Sequence, residues 1–268
     1  MAHGEAGLSV LEPHLPFAFL SAFGDAFQFI FEGQESTTTG GREVGGLEQV
    51  WDRTREHLKV TFLALAAALA IALPPGLLLG HRGRGEAFAI AFGNAGRALP
   101  ELVLIAFLVA FAPAAWFGVP IVVIALMILG IPPILTNTFV GLRQVDPGAV
   151  EAARGMGMSE LEIVFKVEIP LAVPTIMSGI RTGAINIVAT ATIAPLAGVL
   201  TLGDFIINRN VYGDSGVLAG AILVAILAVL IELGLAGLQR LLTPAGVRLQ
   251  RDSERPRPRG WRRRTAGA

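Results

Sequence analysis

The chain has no cysteine, which excludes disulfides and thiolate metal sites. Its four histidines are scattered, with no HExxH and no paired-His spacing, so no metal-enzyme pattern is present. No GxxxxGKS or GxxxxGKT occurs, so the chain carries no Walker-type nucleotide site. Aromatics are few at 7%, with one Tyr and three Trp. Charge is also scarce: Asp, Glu, Lys and Arg make up 16%, against about 25% in soluble domains. What fills the space is apolar, 53% of residues with a mean hydropathy of +0.63, the composition of an integral membrane protein. The 21 basic and 21 acidic residues balance but are segregated. Residues 1–41 contain no Lys or Arg, and eight cations fall between Arg248 and Arg264.

Five segments are long and apolar enough to cross a bilayer, near 58–80, 98–116, 119–140, 175–200 and 216–239. The second is started after Arg97, because Arg at a helix centre costs roughly 2.5–3.5 kcal/mol on insertion scales, and Arg97 is placed at the cytoplasmic edge. Residues 16–31 are apolar but short, with Asp25 in the middle and Phe23, Phe27 and Phe31 in a helical stripe. They read as an interfacial or partner-packed amphipathic helix, and as a sixth span if they cross. The N-terminus lacks the cationic region of a signal peptide. An outward N-terminus with five spans puts Arg82, Arg84, Arg97, Arg143, Arg154, Lys166 and the tail inside, as the positive-inside rule requires; Arg42, Arg53, Arg55 and Lys59 count against it. The Arg- and Pro-rich tail 248–268 is expected to be disordered, serving either as a stop-transfer segment or as an attachment to anionic headgroups.

Between two apolar runs lies EAARGMGMSELEIVFKVEIP, residues 151–170. Asp146 followed by Pro147 is a helix start, with a capping carboxylate and a proline in the first turn. Gly155 and Gly157 weaken that helix and permit a change of direction. Ser159 with Glu162 three residues on is a capping-box pattern that starts a second helix. Glu162 and Lys166 are spaced to pair across one turn, and Pro170 is expected to end the helix. Ala152 and Ala153 keep the bend narrow, while Met156 and Met158 flank Gly157 with adaptable apolar side chains.

The full spacing Glu151, Ala152, Ala153, Gly157, Val167, Ile169 and Pro170, in a loop between spans, resembles the EAA motif of the permease subunits of binding-protein-dependent ABC importers. Residues 136–187 closely resemble permeases for compatible solutes such as glycine betaine and choline, and the likeness extends more weakly over 47–242. The resemblance implies an all-α, polytopic type I permease of five spans, or six with 16–31. Its parts would be an N-terminal segment 1–46, a permease domain 47–242 and a basic tail 243–268. It implies a coupling helix at Glu151, Ala152, Ala153, Arg154, Gly155, Met156, Gly157 and Met158 that docks on an ATPase subunit. It also implies a permease homodimer or a heterodimer with a paralogue, two ATPase subunits and a separate solute-binding protein, in the inner membrane and with no nucleic acid. The subunit itself would carry no cofactor, no metal and no catalytic residue.

One stretch departs from the family: a glycine-rich GxGGLG is replaced by Gly198-Val-Leu-Thr-Leu-Gly203-Asp204, which bears on the outer gate and so on the solute. The scarcity of Trp and Tyr argues against a tight aromatic cage in the pathway and assigns recognition to the binding protein. Asn186, Thr190 and Thr192, polar within the fourth span, either line the pathway or hydrogen-bond to helices around them. Gly179 and Gly183 form a GxxxG for close helix packing. Arg181 is expected to pair with Glu168 or Glu151, or to reach the interface. The rivals are an ABC permease for an amino acid or sulfonate, and an ATPase-independent channel or secondary transporter. The latter class ordinarily has more intramembrane carboxylates than Glu101 and Glu232.

Overall fold

A computed structural model describes residues 15–38, 40–98 and 100–246, and all of their side chains except those of residues 15–20, 95 and 97. The cationic tail 248–268 with Trp261, and the side chain of Arg97, lie outside the described residues. Helix α1 (Leu15–Phe31) leads through a two-residue hairpin, β1 (Gln34–Glu35) and β2 (Glu43–Val44), into α2 (Gly46–Arg82). Helices α3 (Glu86–Ala98), α4 (Glu101–Phe111) and α5 (Val119–Arg143) follow. The short α6 (Pro147–Gly155) and α7 (Glu160–Ile163) precede α8 (Ile169–Thr190), α9 (Gly203–Ile207) and α10 (Arg209–Leu242).

Among the described residues, four helical rods are long and apolar enough to cross a membrane: Gly46–Arg82, Val119–Arg143, Glu160–Ala197 and Arg209–Leu242. They contain the first, third and fifth predicted spans and the fourth up to Ala197. The predicted second span, 98–116, is not one rod. Helix α4 has 11 residues, about 16 Å at 1.5 Å per residue, roughly half the hydrocarbon thickness. Pro100 stands in extended backbone and separates α4 from α3, because it offers no N–H to continue a helix.

The depth expected for Arg97 is corrected by the same feature. An added Cβ on Gly96 would lie 2.2 Å from the Pro132 ring, and one on Gly93 would lie 2.4 Å from the Thr136 hydroxyl. Pro132 and Thr136 are in the middle of α5, so the end of α3 is packed at mid-depth and not at the cytoplasmic edge. Small residues draw α3 into the bundle, where a helix end can be surrounded by protein.

The bundle closes around α5. One stripe of α2, Val60, Ala64, Ala68, Ala72, Gly76 and Gly80, recurs every four residues and is buried throughout. A Cβ on Gly76 would meet Thr138 at 2.9 Å, and one on Gly80 would meet Leu142 at 2.8 Å, so α2 and α5 run parallel with backbones in close approach. Helix α8 crosses the other side of α5 in the opposite direction. A Cβ on Gly179 would lie 2.6 Å from the Pro133 carbonyl, and one on Gly183 would lie 3.2 Å from that of Gly130, so the predicted GxxxG does pack helices.

Helix α1 packs on α10 and α9 through Ala26, Phe29 and Ile30. Phe29 meets Phe205 edge-on at 5.3 Å and Tyr212 at 6.2 Å. The predicted Phe stripe is a different face: Phe27 and Phe31 stack at 5.9 Å and are exposed.

Pro170 does not end the second loop helix. Residues 164–168 form a π turn, in which the Ile169 amide bonds back five residues to Val164, and the helix continues as α8. The wider turn accommodates the missing N–H of Pro170 without a break.

Candidate functional site

The loop between α5 and α8 is built as the local sequence dictates. The Asp146 carboxylate accepts from the Gly148 amide at 2.9 Å and starts α6 with Pro147 in the first turn. The Met158 amide donates to the Ala153 carbonyl at 3.2 Å, and the Gly157 amide to that of Arg154 at 3.0 Å. This six-to-one and five-to-two pair is a Schellman closure, and it needs left-handed backbone at Gly157, whose φ is +85°. Ser159 and Glu162 then form a complete capping box, and Glu162 also accepts from Lys166 at 2.8 Å.

Of the predicted coupling residues, Ala153 is buried against the body, while Glu151, Ala152, Arg154, Gly155, Met156 and Gly157 are exposed and Met158 is half-buried. Met156 is 77% exposed, and Leu161 and Phe165, at 72% and 63%, are exposed further along the same segment, beyond the predicted residues. Three large side chains on a polar loop form the kind of surface that marks a protein contact.

The loop is clamped to the bundle by charge. Arg154 donates two parallel hydrogen bonds to Glu160, Nε to Oε1 and Nη2 to Oε2, both 2.9 Å, and that carboxylate raises the Arg154 pKa. His81, in the last turn of α2, faces Glu160 through Nε2 at 3.2 Å and Glu168 through Nδ1 at 2.8 Å. Glu168 lies in the π turn and is 5% exposed. Arg154, Glu160, His81 and Glu168 therefore join α6 to both rods that leave this end.

The polar residues within the rods separate. Thr190 is buried and donates to Glu101 at 2.7 Å, which ties the end of α8 to the start of α4. Thr192 donates to the Ala189 carbonyl in its own chain at 2.6 Å. Asn186 borders a cavity of 220 Å³ together with Glu101 and Thr182. Arg181 does not pair with Glu168 or Glu151: it bonds Glu232 and, through Nη1, Gln239 at 3.1 Å, both on α10. Glu168 is held by His81, and Glu232 lies on the rod facing α8, so the pairing follows helix neighbours and not sequence proximity.

At the opposite end Asp204 is buried. It accepts from Arg53 Nε at 3.1 Å, the Tyr212 hydroxyl at 2.7 Å and Asn208 Nδ2 at 2.7 Å, joining α2, α9 and α10. A 510 Å³ cleft lies beside it, bordered by Asp52, Arg53, Arg55 and Glu56 and by the divergent stretch at Gly198, Val199 and Leu200. That stretch is tightly packed. Gly198 has φ +81°, Thr201 donates to Ala191 at 2.8 Å, and a Cβ on Gly203 would fall 1.7 Å from the Thr192 carbonyl.

Sequence reading did not find His81, Glu160, Leu161, Phe165 or Asp204. The first two were legible only as ordinary charges near helix ends, since nothing local says that α2 ends beside α7.

A bundle of apolar rods broken by one exposed, charge-clamped helical loop is the architecture of a multi-pass transport subunit. Comparison with known proteins agrees. Residues 72–245 match the family described as binding-protein-dependent transport system inner membrane component, and the chain belongs to that family. It is 38% identical over 207 residues to the carnitine transport permease protein OpuCB of Listeria monocytogenes, covering 77% of this chain and 92% of that one. It is 37% identical over 196 residues to the glycine betaine/carnitine/choline transport system permease protein OpuCB of Bacillus subtilis, covering 73% and 89%. A solved structure of the MetNI methionine ABC transporter in an inward-facing conformation shares the fold, with a TM-score of 0.66 at 22% identity over 74% of this chain and 98% of that one.

Proposed function

We propose that this chain is the permease subunit of an ABC importer for a quaternary-ammonium osmoprotectant of the glycine betaine, choline or carnitine type. A partner ATPase dimer hydrolyses the nucleotide, and a separate solute-binding protein delivers the solute. The observation that carries the solute class is the 37–38% identity, over most of the chain, to permeases named for those solutes.

The coupling role rests on the apolar tip Met156, Leu161 and Phe165, carried on a loop too tightly capped to flex on its own. An ATPase that moves as a rigid body displaces that tip. The Arg154–Glu160–His81–Glu168 chain carries the displacement to α2 and α8, and the rods change their tilt around α5. Residues 151–158 are the docking helix in this reading, and Asn186 and Thr190 border the solute path. The broken pair α3 and α4 makes the fifth crossing, since the two together have the length that α4 lacks.

The test is affinity purification of the tagged chain from its native membrane. A stoichiometric ATPase that is lost on Met156→Asp supports the reading. An intact complex in that variant removes the assigned docking surface, and the absence of any ATPase returns the chain to the channel or secondary-transporter class.

A further inference from the structure

Glu101 is the unusual group in the apolar part of the chain, an exposed carboxylate on a face that also exposes Thr182 and Asn186. It stands at the break between α3 and α4, level with the middle of α5, and borders the 220 Å³ cavity. That volume is about seven waters at ~30 Å³ each, the scale of a small solute. The lining is rich in acceptors. Besides the Glu101 carboxylate it holds the Asn186 amide and the Thr182 hydroxyl. Pro132 and Pro133 also line it and cannot donate the helix bonds that the Ile128 and Leu129 carbonyls would take, and Leu129 is itself a lining residue. Among the described side chains that line it, none is cationic and none is aromatic.

A carboxylate at this depth is costly unless something balances it. Glu101 accepts one hydrogen bond, from Thr190, and has no ion pair among the described residues. Glu232, half-buried on α10, by contrast has its cation in Arg181. Broken helices that meet at mid-depth are where membrane transporters place their solute contacts.

We propose that Glu101 is the solute-selecting residue of the permease, binding the quaternary ammonium group by charge as the solute passes, with Asn186 completing the contact. This rests on the osmoprotectant reading above. A carboxylate with no ion pair among the described residues and no aromatic cage attracts the cation but holds it loosely, which suits a passage site that must release what it takes. Thr190 positions the carboxylate from α8, so that motion of α8 moves Glu101 with it.

The test uses the intact transporter, this chain with its ATPase, in liposomes supplied with the binding protein and with choline, glycine betaine or carnitine. Glu101→Gln keeps the size and the Thr190 contact but removes the charge. Uptake of the carried solute should fall about tenfold, the equivalent of one lost charge-assisted contact. ATP hydrolysis stimulated by the loaded binding protein should persist, and Glu101→Asp should restore most of the uptake. Asn186→Lys, which neutralises the cavity and leaves Glu101 in place, should depress uptake to the same degree. Wild-type uptake in Glu101→Gln overturns the assignment and leaves the osmoprotectant reading standing. So does a Glu101→Gln transporter that loses uptake and hydrolysis together and is not restored by Glu101→Asp, because that is the behaviour of a packing residue. A wild-type transporter that carries none of the three solutes overturns the osmoprotectant reading, and this assignment falls with it.

Discussion

Alanine at Gly157 and alanine at Gly155 should act in opposite directions, although the two glycines are two residues apart on one exposed loop. Beyond the adjoining backbone, neither has an atom within 4 Å of where a Cβ would stand, so neither substitution clashes with a packed neighbour. Only Gly157 has left-handed backbone, at φ +85°. An L-residue there costs roughly 1–2 kcal/mol. Gly155 closes α6 in ordinary helical backbone, where alanine is better than glycine by about 1 kcal/mol. The Schellman turn should therefore open roughly 5- to 30-fold more often in Gly157→Ala and less often in Gly155→Ala. Hydrogen exchange at the Met158 amide, whose bond to Ala153 closes the turn, reads this directly. Solute uptake per ATP hydrolysed reads the consequence, lower in Gly157→Ala and unchanged or higher in Gly155→Ala. Two variants that shift in the same direction would refute the assignment of the turn as the stiff element.

Other substitutions probe separate links. His81→Ala leaves the buried Glu168 without its partner, a loss of about 1.5–3 kcal/mol for a charged hydrogen bond, and should lower uptake while the ATPase still docks; co-purification alongside transport separates the two. Glu151→Lys reverses an exposed charge on the docking helix and should uncouple hydrolysis from uptake without affecting membrane insertion, measured on the same liposomes. Gly203→Ala forces a Cβ onto the Thr192 carbonyl and should lower thermal stability in detergent by more than any other glycine-to-alanine change in the bundle. Asp204→Ala strands Arg53 at its buried contact, which typically costs about 3–5 kcal/mol, and adding Arg53→Leu should recover part of that stability in a thermal melt.

Much of the fold was legible because bilayer crossing is a matter of length and polarity, and four of the five predicted spans lie in long apolar rods. The loop was legible because its caps are local: Asp146, Gly157 and Ser159 act on residues within five positions of themselves. What was misread involved prolines and glycines in tertiary surroundings. Pro170 looked like a terminator until a π turn absorbed it, and Arg97 looked like a boundary until Gly93 and Gly96 drew α3 against Pro132 and Thr136. The ion pairs were hidden for a related reason. Arg181–Glu232, His81–Glu168 and Arg53–Asp204 join residues 51, 87 and 151 positions apart, and only helix packing makes them neighbours. The exposed tip was half visible: Met156 stood out beside Gly157, whereas nothing local marks Leu161 and Phe165 as exposed.

In the proposed mechanism a loaded binding protein at one end of the bundle controls ATP hydrolysis at the other through residues 151–170. The most direct measurement is ATP hydrolysis by the complete transporter in liposomes, with the binding protein added empty or loaded with glycine betaine, choline or carnitine, in wild type and Gly157→Pro. Stimulation by a loaded form in wild type, lost in Gly157→Pro while the complex stays assembled, is the result predicted. Hydrolysis indifferent to loading, or stimulation that survives Gly157→Pro at the wild-type level, would contradict it.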